Sequence, residues 1–384
     1  MKALIRIMAL LTVTAVAGCG GGSSTIKLEG LPDALLYVVG AGSNNIQGFQ
    51  ITTLGQLAAL SVSSFSTNPI PVSMALTPSR LFMYVANSTS NTVSGFNVNH
   101  TTGDLTPVGT AILPTPVCPT PATCNFNPMG VTVDSAGKFV FVLNQGSASP
   151  VMVAPSISVF AIDPTRGLLT EIGGSPFAAP ANPEFILASP ALESLYVSTG
   201  SGTIAAFSIG SDGTLSPIAG SPVAAGANIR GMVIDPKSQF LYATDFGNNQ
   251  VASFSIQSSG ALSPVAGSPF PAGMQPVMAA IDSTGTFLYV ANQGSNNVSA
   301  YKVNAGVPAQ VSGSPYATAG SGVITPTQPT FLVVDPTNAF LFVADQGSRD
   351  VAGFSIKSTD GTLTMVTNSP FGQAVAPTWM LTTR

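Results

Sequence analysis

A chain of 384 residues with 7% charged side chains against 45% hydrophobic ones, and with 39 glycines and 31 prolines, offers little material for exposed helices and much for short strands joined by tight turns. The composition therefore reads as all-β, and closed all-β folds reach this length as one domain. Twelve Lys and Arg stand against 16 Asp and Glu with no basic run, which excludes a protein that grips nucleic acid by its phosphates.

The first element is a basic start, Lys2 and Arg6, followed by an apolar run from Ile7 to Ala17 and by Val16-Ala17-Gly18-Cys19. That run is too short to span a bilayer as a mature helix. The pattern resembles a bacterial lipobox. The resemblance implies cleavage after residue 18, lipid on Cys19, and a partner that is the membrane itself. Gly20 in place of Asp after the cysteine implies the outer membrane of a bacterial cell envelope. An ordinary signal peptide cut elsewhere, with Cys19 incidental, is the alternative. The expected organisation is a signal peptide over 1–18, a lipidated cysteine and flexible tether over 19–30, and one domain over 31–384. Removing residues 1–18 takes Lys2 and Arg6 and no acid, leaving 10 Lys and Arg against 16 Asp and Glu, a formal −6.

From Tyr37 onward one segment recurs: an aromatic residue and Val, a small and a polar residue, a Gly/Ser/Asn turn, then Val-x-x-aromatic. Its copies are Tyr37 to Phe49, Tyr84 to Phe96, Phe141 to Phe160, Tyr196 to Phe207, Tyr242 to Phe254, Tyr289 to Tyr301 and Phe342 to Phe354. Subtraction gives spacings of 47, 57, 55, 46, 47 and 53 residues between leading aromatics. Repeats of this period are units of a propeller, solenoid or array, and seven of them predict a seven-bladed β-propeller with four-stranded blades.

Each unit predicts strands A to D in chain order. Pro276-Val277-Met278-Ala279-Ala280-Ile281 has the form of strand A, and the turn Asp282-Ser283-Thr284-Gly285 leads to the aromatic-Val strand B. Gly294-Ser295-Asn296-Asn297 turns into strand C, and Asp-Gly turns such as Asp212-Gly213 and Asp360-Gly361 lead into strand D. The first repeat begins at strand B with Leu35-Leu36-Tyr37-Val38, whereas Pro377-Thr378-Trp379-Met380-Leu381 has the form of a strand A with no B after it. The C-terminal strand is therefore expected to complete blade one and close the ring. Trp379, the only tryptophan, is then a packing residue of the closing strand, with ligand stacking as the alternative. Blade three is the irregular unit: its approach carries Cys118 and Cys124, which an oxidising compartment would join as a small-loop disulfide, and its B-to-C loop is lengthened from Ala148 to Pro155.

Tyr84-Val85-Ala86-Asn87, Tyr289-Val290-Ala291-Asn292 and Phe342-Val343-Ala344-Asp345 resemble the repeat of the YVTN propellers. The spacing near fifty residues, with Asp-Gly-x-Leu ahead of a connector such as Ser268-Pro269-Phe270, is similar to the lactonase-type propellers related to 6-phosphogluconolactonase. WD-type and kelch blades are disfavoured, since neither a Gly-His with Trp-Asp pair nor a repeated Gly-Gly signature is present. The resemblance implies a site at the end where the D-to-A connectors and B-to-C loops meet, and in enzymes of this type a histidine often stands two residues after the strand-A proline. Those positions hold Ser73, Gly130, Phe185, Gly231, Met278, Phe331 and Trp379.

The only histidine, His100, falls in a C-to-D turn expected at the other end, so no Ser-His-Asp triad is available. The sequence has no nucleophile elbow, phosphate loop or calcium loop, and implies neither a metal nor a cofactor. What remains are charges near the channel mouth. Glu184 and Arg230 follow the start of strand A in blades four and five, and Asp245 closes the strand B beside them. A carboxylate beside a guanidinium could polarise a lactone carbonyl while Asp245 activates water. Asn87, Asn144, Asn292 and Asp345, also at ends of strand B, are candidate ligand contacts, with turn capping as their alternative role. Two functions follow: a platform that binds a glycan, peptide or partner protein on its loop face, or a lactone hydrolase.

Overall fold

In the computed structural model the structure describes residues 34–112, 126–148, 152–319, 326–372 and 376–384. The expected signal peptide and tether, with Cys19, and the expected disulfide between Cys118 and Cys124 lie outside the described residues. The described residues form seven antiparallel sheets and no helix. Blade two runs A to D as Pro71–Leu76, Phe82–Asn87, Thr92–Val98 and Leu105–Ile112. The A strands of blades three to seven are Pro128–Val133, Pro183–Ala188, Ile229–Ile234, Pro276–Ile281 and Pro329–Val334.

Blade one takes its strand A from the far end of the chain, as the sequence predicts. Ala376–Thr383 pairs antiparallel with Ala34–Ala41, Leu36 opposite Thr382 and Val38 opposite Met380. Each A strand packs on the next around the axis. Pro329–Val334 packs on the closing strand, and that strand packs on Pro71–Leu76, so the ring of inner strands is complete.

The repeat's aromatic and Asp-Gly signals turn out to be two halves of one interface between blades. The first residue of a strand B lodges against the glycine of the next blade's C-to-D turn: Phe240 of blade five against Gly306 of blade six, where an added Cβ would fall 2.3 Å from Phe240 Cδ1. The turn also holds Gly306 at φ 79°, so both geometry and space require glycine. The tyrosine two residues further along strand B donates its hydroxyl to that glycine's carbonyl in several blades. The contacts are Tyr37 to Gly103 at 2.8 Å, Tyr84 to Gly167 at 2.9 Å, Tyr196 to Gly260 at 2.8 Å and Tyr289 to Gly361 at 3.2 Å. Between blades five and six the Ser253 hydroxyl makes this bond to the Gly306 carbonyl instead, and the buried Tyr242 hydroxyl makes none. Burial presses the phenol pKa values of these tyrosines upward, so they remain donors across ordinary pH.

A second clamp crosses between blades at the opposite end. The asparagine of the B-to-C turn accepts a backbone N–H from the residue ahead of the next blade's strand A: Asn44 from Ile70, Asn91 from Asn127, Asn249 from Gln275 and Asn296 from Gln328. The Ser-Pro-Phe segment proves to be part of the outer strand rather than a connector between blades. In blades three to seven it splits strand D, and its second half pairs back onto strand C, as Phe270 does with Val251. The serine hydroxyl at the break accepts a strand-C N–H, as Ser268 does from Ser253 at 2.8 Å. Blades one and two keep unbroken outer strands, Leu57–Ser66 and Leu105–Ile112.

Candidate functional site

Strand direction fixes the two ends of the ring. Strands A and C start where B ends, so the B-to-C turns and D-to-A connectors share one end, and the A-to-B and C-to-D turns share the other. His100 lies at the second end, as expected.

At the first end each A strand enters through a bulge, visible as a register shift after Pro71, Pro128, Pro183, Ile229, Pro276 and Pro329, and a related one opposite Gly40 in blade one. The residue inside the bulge is left out of the ladder and only part-buried. Around the ring these residues are Val72, Met129, Glu184, Arg230, Val277, Thr330 and Thr378. The hydroxyl of Thr330 donates to Ala344 O and Pro377 O, and that of Thr378 donates to Val39 O. One acid and one base therefore stand among otherwise uncharged bulge residues.

The structure brings those two together. Arg230 Nε lies 4.0 Å from Glu184 Oε2, with the side chains 41% and 29% exposed, respectively. At that distance and exposure the pair contributes little to stability, on the order of 0–1 kcal/mol. Neither side chain hydrogen-bonds to another described residue. The Glu184 carboxylate rests over Gly200, where an added Cβ would come within 3.0 Å of Oε1. The Arg230 guanidinium lies over the Phe246 ring, 4.4 Å from its centroid, which fixes the plane of the cation without using its donors.

Beside Arg230 is an open depression of about 520 Å³, lined by Phe246, Gly247, Asn249, Met274, Gln275 and Gly294. None of these residues was singled out from the sequence. Their signal was positional: they immediately follow a strand B or precede a strand-A proline, the loop positions expected to share the mouth.

Asp245 is beside the pair in the chain but turned inward. It is 1% exposed, and its oxygens accept from the N–H groups of Ala227, Asn228 and Asn248 and from Asn248 Nδ2. A carboxylate so engaged caps the connector and has no oxygen facing a water at the mouth.

The asparagines are likewise buried within their blades. Asn87 donates to the hydroxyls of Thr92 and Ser94, Asn144 to those of Ser156 and Ser158, and Asn292 to Ser299 and to Asn297 Oδ1. Each is 0% exposed, so the capping role describes them. Asp345 holds the same place in blade seven with no amide donor. It lies opposite Asp350 in the ladder, and burial, then Asp350, drives its carboxyl well above the usual range.

Beneath the rim the channel is filled. Trp379 lies nearly parallel to Phe185 across the ring, centroids 5.6 Å apart and planes at 18°, and contacts Phe331 at 4.3 Å. Its indole N–H donates to Met74 O at 3.1 Å. Three positions where the resemblance leads one to look for histidine thus carry an aromatic plug. Among the described residues no group of three or more His, Cys, Asp or Glu could hold a metal ion.

This geometry defines a seven-bladed propeller with an acid and a base at its mouth and a closed channel behind them. The sequence profile "Lactonase, 7-bladed beta-propeller" matches residues 20–121, 154–265 and 223–317, and the chain belongs to that family. No curated protein sequence matches the chain. Among solved structures, a candidate 6-phosphogluconolactonase from Bacteroides uniformis is 17% identical with a TM-score of 0.74, over 92% of this chain and 100% of the other. The periplasmic gluconolactonase PpgL of Pseudomonas aeruginosa is 17% identical with a TM-score of 0.72, over 91% and 99%. Hydrazine synthase of Kuenenia stuttgartiensis is also similar, 16% identical with a TM-score of 0.55 over 81% and 89%. At these identities the likeness is one of fold, which by itself carries no single activity.

Proposed function

We propose that this propeller binds a small sugar lactone at the mouth of its channel and opens it by hydrolysis, and that the N-terminal lipid on Cys19 holds it in the cell envelope. The observation that carries the reading is the Glu184–Arg230 pair: the acid and the base among the bulge residues, side by side, part-exposed and without a hydrogen bond to another described residue. Arg230 would donate to the lactone carbonyl oxygen. Glu184 would take a proton from the water that attacks the carbonyl carbon, and the guanidinium would then face the oxyanion of the tetrahedral intermediate. As the ring C–O bond breaks, the proton on Glu184 passes to the departing ring oxygen, leaving a hydroxy acid and the starting carboxylate.

A second reading, binding of a glycan, peptide or protein without turnover, is favoured by the Phe185–Trp379–Phe331 plug. Assaying residues 20–384 against a panel of sugar lactones, with Glu184→Gln and Arg230→Ala alongside, separates the two. Turnover lost in both variants supports hydrolysis; no turnover on any lactone removes it and leaves the binding platform. Mass spectrometry of the mature N-terminus tests the anchor, whose expected product is a lipid-modified Cys19 and whose refutation is cleavage at another residue.

A further inference from the structure

Charged side chains are distributed unequally between the two ends of the ring. At the A-to-B and C-to-D end stand Arg80, Lys138, Arg166, Lys237 and Lys357 in turns, Arg384 after the closing strand, and Lys302, which pairs with the first residue of its strand B. At the mouth the described cations are Arg230 and Arg349 alone, and Arg349 belongs to the B-to-C turn of blade seven, two blades round from blade five. The acids at that end are Glu184, Asp350 and the buried Asp245 and Asp345. The mouth is otherwise built of Gly, Ser, Asn, Gln, Thr and apolar residues.

A phosphate monoester carries about 1.5 to 2 negative charges near neutral pH and is ordinarily held by several Arg or Lys side chains or by a helix N-terminus. The described residues contain no helix. The single cation near the depression is already faced by a carboxylate and stacked on Phe246. The depression beside it offers neutral groups: the side-chain amides of Asn249 and Gln275, the backbone at Gly247 and Gly294, and the apolar surfaces of Phe246 and Met274. Asn249 Oδ1 is held by Gln275 N at 2.7 Å, and no described group takes its amide N–H₂.

We propose that the mouth is selective for an unphosphorylated aldonolactone, whose polyol chain lies in the depression between blades five and six while its carbonyl meets Arg230. The proposal rests on the lactone reading above and adds the substrate class. Neutral amides and backbone groups hydrogen-bond hydroxyls well, whereas a terminal phosphate entering the same depression meets no second cation and an overall acidic chain.

The test is calorimetric titration of residues 20–384 with D-gluconate and with 6-phospho-D-gluconate, stable ring-opened forms of two lactones that differ only in the phosphate. Fluorescence of Trp379, the only tryptophan, follows the same titrations. The expected result is gluconate binding that Arg230→Ala abolishes, with 6-phosphogluconate binding no tighter. Tighter binding of the phosphorylated acid overturns the substrate class and leaves the lactone reading standing. Binding of neither, with no turnover of either lactone, removes the lactone reading and this proposal with it. Gln275→Lys supplies the missing cation in the depression at the expense of one amide and is expected to shift the preference toward 6-phosphogluconate over gluconate by about tenfold. An unchanged affinity for both would overturn the placement of the polyol chain.

Discussion

Replacing Trp379 with alanine would test both ring closure and the plug, because this one side chain joins the C-terminal strand to three other blades. Its indole meets Phe185 of blade four at 5.6 Å and Phe331 of blade seven at 4.3 Å, and its N–H reaches Met74 O of blade two at 3.1 Å. A fully buried Trp→Ala change costs about 3–5 kcal/mol. The ring is only part-buried, which lowers the packing share to about 2 kcal/mol at the density of interior contacts. Two aromatic pairs add about 0.5 kcal/mol each at the lower end of their range, and the hydrogen bond adds about 1 kcal/mol. The expected total is about 4 kcal/mol for Trp379→Ala, and about half that for Trp379→Phe, which keeps a ring but loses the donor. Urea unfolding followed by circular dichroism gives both values without relying on the tryptophan signal. A loss under about 1 kcal/mol for the alanine variant, or equal losses for the two, would refute the reading of Trp379 as the keystone of the closing strand.

Three further outcomes follow from the same structure. Deleting Thr378 to Arg384 removes the strand that pairs with Ala34–Ala41, so the protein should lose cooperative unfolding and self-associate in analytical ultracentrifugation; a stable monomeric deletion would disprove closure. Asp345→Asn should raise stability at neutral pH and flatten its pH dependence. With the Asp345 carboxyl pushed up by burial, the folded chain keeps a proton that the unfolded chain has lost, so wild-type stability falls as pH rises from the usual carboxylate range toward the raised value. A wild-type curve without that fall, or a less stable asparagine variant, contradicts this. Ser268→Ala leaves the Ser253 N–H without its 2.8 Å acceptor in the outer strand and should cost about 1–2 kcal/mol in urea unfolding, whereas Ser263→Ala, whose hydroxyl bonds only the exposed Gln257 side chain, should cost little.

Much of the fold was legible because a propeller repeats its local chemistry. The aromatic-Val strand, the Asn-bearing turn and the Asp-Gly turn are visible at fixed offsets, and the unpaired strand A at Pro377 to Leu381 disclosed the closure. Sequence offsets do not show what a repeated residue touches. Gly306 looks like a turn former and is also the seat of Phe240 from another blade. Ser268 sits in what reads as a connector and is a cap within a split strand. Both contacts join residues from different turns or strands, and the linear pattern records only that each residue recurs.

The candidate site divides along the same line. Glu184 and Arg230 were found because equivalent positions in adjacent blades must be neighbours in the ring, a relation that periodicity alone supplies. Asp245 reads as a base because its position places it near the mouth, while its orientation depends on two backbone N–H groups of the folded connector, Ala227 and Asn228, and one of its own B-to-C turn, Asn248. Offsets can thus locate the rim but not distinguish a side chain that faces a ligand from one that holds the rim in place. That distinction is what gives the mouth its character. The inward-turned polar groups Asn87, Asn144, Asn292 and Asp245 are consumed in shaping the turns, and they leave Glu184 and Arg230 as the pair of charges beside the depression, whose own lining is neutral. A lactone, uncharged until it is opened, suits such a mouth better than a ligand that arrives with its charge already formed.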